Sequence, residues 1–133
     1  MTCAASIAQL HEQIAHLPQG YKTLIGERGA TLSGGQRQRL NISRSIILNA
    51  KILIFDDSTS AIDAATEQKI QEGLKLGASN RITIIISHRL ASLMHADEII
   101  YMEDGKITEK GTHKELIQKR GHYARIYQLQ KTF

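Results

Sequence analysis

Tryptophan is absent from this chain, and the other aromatics are few, four Tyr and two Phe. Whatever core it forms must be aliphatic, built from Ile, Leu and Ala. A single cysteine, Cys3, excludes an internal disulfide and fits a reducing, cytosolic compartment. Long apolar runs are missing too. Runs such as 52–55 and 84–86 fall far short of the ~20 residues of a membrane span. The opening MTCAASIAQLHEQ has no basic start followed by an apolar run, so no signal peptide is expected. Any work at a membrane would go through a partner. Charge of one sign is also scarce: the net charge is +4, and only Arg37, Arg39 and Arg44 form a local basic group. A mild, dispersed excess reads as solvated surface rather than a nucleic-acid footprint.

What is present suits one small soluble domain: 133 residues, 41% apolar and 23% charged. Ile7, Leu10, Ile14 and Leu17 recur at spacings of three and four, which predicts an amphipathic helix over 3–17, stopped by Pro18 and Gly20. Residues 18–32 read as loop. A second helix is expected from Ser33, whose hydroxyl can cap free N–H groups, to about Asn49. The runs KILIFDD (51–57) and RITIIIS (81–87) read as strands buried on both faces of a parallel sheet. Between them, Asp63 can cap a helix over 64–76 that stops at Gly77. A short helix is expected around 89–95. Asp104-Gly105 predicts a tight hairpin, Thr112 and Glu115 a capping box, and 122–131 a last helix with Tyr123, Ile126 and Tyr127 near one face. Strands alternating with helices make an α/β pattern. The sheet starts late and has few strands, so the chain reads as a piece of a larger domain.

Three stretches carry chemistry. Ser33-Gly34-Gly35-Gln36 opens a helix, whose first turn leaves N–H groups unpaired and carries partial positive charge. Glycines let a phosphate approach that backbone, and Ser33 adds a hydroxyl. The plainer alternative is an N-cap among flexible glycines. The stretch is not a phosphate-binding P-loop: Gly29 and Gly34 fit G-x-x-x-x-G, but Gly35 and Gln36 stand where Lys and Ser or Thr are needed. No Gly-Lys-Ser or Gly-Lys-Thr occurs elsewhere. Second, Asp56 and Asp57 end an apolar strand. At the carboxyl end of a parallel strand, one carboxylate suits hydrated Mg²⁺ and another can orient or deprotonate water. A polar turn is the alternative. Third, His88 follows the second strand and would lie near Asp56 and Asp57 if the strands are neighbours. There it could bond a phosphate or a water, although a lone His is usually structural. His11, His16, His95, His113 and His122 show no metal-ligand spacing and read as surface or core residues.

The order LSGGQRQRL, ILIFDD, SAID, SHRL and ADEIIYMEDGKITEKGTHKEL closely resembles the C-terminal part of an ABC transporter nucleotide-binding domain, and LPQGYKTLIGERGATLSGGQ is similar to exporters in particular. The resemblance covers essentially the whole chain. It implies a partial sheet of the P-loop NTPase type, with flanking helices and a C-terminal β-hairpin. Residues 1–50 would form a partial helical signature subdomain and 51–133 the C-terminal part of the ATP-binding core. It further implies roles. Ser33, Gly34, Gly35 and Gln36 would form the signature that binds the γ-phosphate of ATP held on the opposite subunit of a head-to-tail dimer. Asp56 would serve Mg²⁺, Asp63 would lie in the loop that crosses the dimer interface, and His88 would contact the γ-phosphate. Partners would be a complete nucleotide-binding domain and the transmembrane domain of an exporter, at the cytoplasmic face of a membrane.

Two departures qualify this. The Walker A loop and Q-loop are absent, because the family places them further upstream than the 32 residues before Ser33. The chain alone should therefore bind ATP weakly and hydrolyse none. Second, Asp57 stands where the family has a catalytic Glu. Its carboxylate falls short by the ~1.5 Å of one carbon–carbon bond, and a misplacement near 1 Å can cost ~100-fold. This resembles the degenerate-site subunit of heterodimeric exporters. Asn41, Ser43 and the lack of Pro at 49–51 are smaller departures. The leading expectation is an ATPase subunit piece. The alternative is a non-catalytic module that docks on a complete domain and modulates it. DNA-repair ATPases share a signature-like element, but their usual coiled-coil or zinc insertions are missing.

Overall fold

The computed structural model describes residues 1–29, 31–76 and 81–131. The chain forms two compact units, Met1–Ile86 and Ser87–Phe133.

The first unit opens with α1 (Thr2–Ile7) and α2 (His11–Ala15) rather than one helix over 3–17. The break sits at Gln9, whose φ is 55°. Leu10 N–H donates to Ala5 O at 2.8 Å and Gln9 N–H to Ser6 O at 3.0 Å. That pair of bonds is a Schellman stop with a non-glycine residue in the left-handed position. It turns Leu10 into the interior, where it is 3% exposed; burying Leu10 outweighs the continuing helical period. Next come two 3₁₀ turns, Gly20–Lys22 and Glu27–Gly29, and then α3 (Gly34–Ile47). Past α3, Asn49 takes a φ of 48° and leads into β1 (Ile52–Asp56). A crossover through α4 (Ala64–Leu76) returns to β2 (Ile82–Ile86). The Gly77 stop expected for α4 lies outside the described residues.

β1 and β2 pair in parallel, Ile52 against Ile82 through Asp56 against Ile86. One face of this sheet carries the core: Leu53 and Phe55 pack with Ala4 of α1 and Ala8 just past its end, Ile42 and Ile46 of α3, and Ile62, Ile70 and Leu74 at and beyond the loop before α4. The other face is bare. Ile52, Ile54, Ile82, Ile84 and Ile86 are all exposed, between 44% and 61%. The expectation of strands buried on both faces is therefore corrected. All the helices that pack on the sheet, α1, α3 and α4, cover the same side, so the inward residues alternate with apolar residues that nothing described covers.

In the second unit a 3₁₀ turn, Leu90–Ser92, replaces the short helix expected over 89–95. β3 (Ile99–Glu103) and β4 (Lys106–Gly111) form the hairpin. Asp104 (φ 49°) and Gly105 (φ 74°) both have the positive φ of the tight turn that matches strand twist. A register shift after Tyr101 leaves one extra residue on β4. α5 (His113–Lys119) starts at Thr112 with the expected capping box to Glu115, and α6 (His122–Lys131) follows. Leu90, Ile99, Leu116 and Tyr123 form the core, with Ile126 and Tyr127 packed against it.

Candidate functional site

The start of α3 is a complete capping box. Ser33 Oγ accepts from Gln36 N–H at 3.2 Å, and Gln36 Oε1 accepts from Ser33 N–H at 2.7 Å. Ser33 is the cap that the sequence predicts. Gln36 is its reciprocal partner, a role that only the S-x-x-Q spacing signals. Arg37 N–H makes the first helical bond, to Ser33 O at 2.9 Å. The N–H groups of Gly34 and Gly35 are then the donors the helix start can offer outward, because the first turn has no backbone acceptor for them.

Gly35 has a second constraint. A Cβ built there would lie 2.8 Å from the carbonyl oxygen of Ala61, whereas one on Gly34 would meet only Ala61 Cβ at 3.8 Å. The loop from Asp57 to Asp63 thus packs directly on the first turn of α3. Gln38 fastens it: its Nε2 donates to Ser60 Oγ and its Oε1 accepts from Ala61 N–H, both at 2.9 Å. On the far side, Thr59 Oγ1 donates to the buried carboxylate of Glu67 on α4. Sequence reasoning misses both Gln38 and Glu67. A glutamine on the polar side of a helix and an acid four residues past a cap carry no periodic signal.

The three aspartates are exposed. Asp56 closes β1, and Ser58 Oγ donates to its carbonyl at 3.3 Å. Asp57 has a φ of 45°, and its N–H continues the ladder to Ile86 O at 2.9 Å. Asp63 caps α4, accepting from Thr66 N–H at 2.9 Å. That bond, with the Thr66 hydroxyl next and the Arg39 charge last, holds its carboxyl below the usual range against slight desolvation. Among the described residues no group of three or more His, Cys, Asp and Glu side chains could hold a metal. Asp56 at a strand end fits Mg²⁺, which takes one or two protein carboxylates and fills the rest with water and phosphate oxygens.

β1 and β2 are neighbours, as the reading of His88 required. His88 itself belongs to the second unit, exposed, with its backbone held by α6. Gln130 Nε2 donates to His88 O at 2.7 Å, and Gln130 Oε1 accepts from Leu90 N–H at 2.9 Å. The other histidines have local uses. His11 Nδ1 lies 2.9 Å from the Tyr21 hydroxyl, His16 Nδ1 2.6 Å from Glu12 O, and His113 Nδ1 2.8 Å from the Tyr123 hydroxyl. An apolar groove of about 220 Å³ runs beside α3, lined by Leu10, Ile14, Tyr21, Ile25 and Leu40 among others; no aspartate borders it.

Known proteins share this arrangement. The ABC transporter family matches residues 4–60, a stretch that runs through the helix start, β1 and into the loop on α3. An uncharacterized ABC transporter ATP-binding protein of Bacillus subtilis is 55% identical over 127 residues. A putative multidrug export ATP-binding/permease protein of Staphylococcus aureus is 50% identical over the same length. Each match covers 96% of this chain but only 22% of the relative. The structure of a bacterial Atm1-family ABC exporter with ATP bound superposes with a TM-score of 0.89 at 43% identity, over 97% of this chain and 23% of that one. The chain thus spans about a fifth of the length of the proteins it matches. Its two parallel strands, antiparallel hairpin and helices are those of an ABC transporter ATP-binding domain of the exporter type, of which this chain is a part.

Proposed function

We infer that this chain serves Mg²⁺-ATP hydrolysis in an exporter by offering the start of α3 to a nucleotide held on an opposing ATP-binding domain. The observation that carries this reading is the folded helix start. Ser33 and Gln36 satisfy one another, which leaves Gly34 and Gly35 N–H groups for an anion. The sequence has no Gly-Lys-Ser or Gly-Lys-Thr of its own, so a lysine that neutralises the nucleotide's phosphates must come from outside these residues. Asp56 would hold Mg²⁺, which neutralises phosphate charge and orients the nucleotide. Asp57 would orient or deprotonate the attacking water, His88 would contact the γ-phosphate, and Asp63 would sit where its loop meets the opposing domain.

The same reading makes residues 1–50 a partial helical subdomain and 51–133 the C-terminal part of the core. It places the working complex at the cytoplasmic face of a membrane, with the transmembrane domain of an exporter. Asp57 in place of Glu makes this the weak-hydrolysis half of a two-subunit pair. The left-handed backbone at Asp57 supports a role beyond a plain turn, since such positions gather at active sites. A second reading rests on the same intact signature without a phosphate loop: a module that docks on a complete domain and modulates it without its own chemistry.

Calorimetry with Mg²⁺-ATP decides the first point. Heat of binding is expected only when a complete ATP-binding domain is added; tight binding by the chain alone would overturn the reading. Turnover then separates the two readings. Asp57→Glu is expected to raise hydrolysis by the complex about 100-fold if Asp57 is a shortened base. No change on that substitution favours the docking module.

A further inference from the structure

The loop on α3 has a feature that the assigned roles leave unused. The signature-like turn and the Asp63 loop are not merely adjacent; one side chain joins them. Gln38 sits one helical turn below Gly34 and Gly35. Its amide reads the loop with both ends: Nε2 donates to Ser60 Oγ, and Oε1 accepts from the Ala61 N–H. Alongside, the carbonyl of Ala61 occupies the space that a Cβ on Gly35 would need. Ile62, the next residue, is buried at 4% in the core that also holds Ile42 of α3. Asp63 follows and is fixed by its bond from Thr66 N–H.

We propose that Gln38 is a positioning residue: it locks the 60–61 segment onto the first turn of α3, so that the Gly34 and Gly35 donors and Asp63 meet an opposing nucleotide-bearing domain as one rigid surface. This rests on the reading under Proposed function for its catalytic consequence, but not for its geometry. Three points support it. The two bonds span more than twenty positions, 38 to 60 and 38 to 61, so they are tertiary and not part of a helix cap. The Ala61 amide lies outside every strand and helix, so its protection depends on Gln38. The close approach at Gly35 is possible only while the segment is held there. Freeing the segment lets Ala61 swing away and uncouples Asp63 from the helix start without unfolding α3 or β1.

The test compares wild type with Gln38→Ala and Gln38→Glu. Glutamate can still accept from Ala61 N–H and can accept from the Ser60 hydroxyl, so it conserves both contacts with donor and acceptor reversed at Ser60. Amide exchange on the chain gives the first readout. In Gln38→Ala, Ala61 N–H is expected to exchange at least about tenfold faster while the Phe55 amide in β1 keeps its rate, and Gln38→Glu is expected to restore protection. An unchanged Ala61, or equal acceleration throughout the first unit, overturns the clamp. The second readout is ATP turnover by the complex with a complete ATP-binding domain. Gln38→Ala is expected to lower kcat about tenfold or more with KM for ATP nearly unchanged, and Gln38→Glu to recover most of it. Loss of affinity with kcat intact, or equal loss in both variants, overturns the positioning role. If wild type supports no turnover with the partner, the reading under Proposed function fails and the catalytic part of this one with it. The exchange rates still keep or reject the clamp.

Discussion

Two neighbouring glycines at the start of α3 have different reasons to be glycine. At Gly35 the carbonyl of Ala61 lies 2.8 Å from where a Cβ would go, and at Gly34 the nearest atom is 3.8 Å away. Gly35→Ala forces backbone to move, and overpacking of this kind costs about 1–3 kcal/mol. Gly34→Ala fits the space and gains helix propensity of up to ~1 kcal/mol, so stability should hold or rise. Denaturant midpoints of the two variants check this; equal destabilisation would mean that the loop does not pack as described. If Gly34 and Gly35 also hold an anion, Gly34→Ala should weaken ATP-dependent association while leaving the fold intact, which separates binding from folding at one residue. Asp57, with its φ of 45°, is in a region that L-residues enter at a cost of roughly 1–2 kcal/mol, with Asp and Asn the least affected. Asp57→Glu should therefore lower the thermal midpoint even if it raises hydrolysis, and both should be measured on the same sample.

At the scale of elements, caps and one part-buried pair govern the pH response. Asp63 is held below the ordinary carboxylate range chiefly by the Thr66 N–H, and Glu115 chiefly by the Thr112 N–H. A depressed carboxyl contributes stability above its unfolded value, near ~3.9 for Asp, and loses it as pH falls through the folded value. His113 titrates much earlier. Burial first, then the charges of His95 and Lys131, holds its imidazole below the ordinary value, while burial raises the Tyr123 phenol. Here too stability is present above the unfolded value, ~6.5 for His, and is lost as pH falls below it through the folded value. Because His113 lies 2.8 Å from the Tyr123 hydroxyl, the second unit should weaken below about pH 6.5 while the α4 cap persists. Histidine and carboxyl NMR titrations check the order; simultaneous loss would contradict it. Thr112→Ala, which removes the α5 cap, should cost the second unit about 1 kcal/mol by denaturant unfolding.

At the scale of the molecule, the bare sheet face matters most. Parallel sheets are usually covered on both sides, and a monomer rarely exposes a contiguous apolar face of several large side chains. Ile52, Ile54, Ile82, Ile84 and Ile86 form such a face in this chain. The isolated chain should therefore self-associate with rising concentration. Ile54→Lys with Ile84→Lys should suppress that without loss of helical signal, because neither side chain belongs to the core. Sedimentation velocity reads the outcome; a monomeric wild type at high concentration would contradict it.

Much of this architecture is legible in the sequence. Local chemistry determined the hairpin at Asp104-Gly105 and the caps at Ser33, Asp63 and Thr112, because each depends on residues a few positions apart, and the order of motifs along the chain carried the order of strands and helices and the exporter-type resemblance. Tertiary structure decided the rest. Burying Leu10 broke the first helix at Gln9. Placing three helices on one side of the sheet turned two strands that read as fully buried into half-buried ones. Bringing Ala61 against Gly35 revealed Gln38, and bringing α6 to the turn after β2 revealed Gln130. No periodicity marks such residues, since their partners lie 22 to 42 positions away and only folding brings the two ends together.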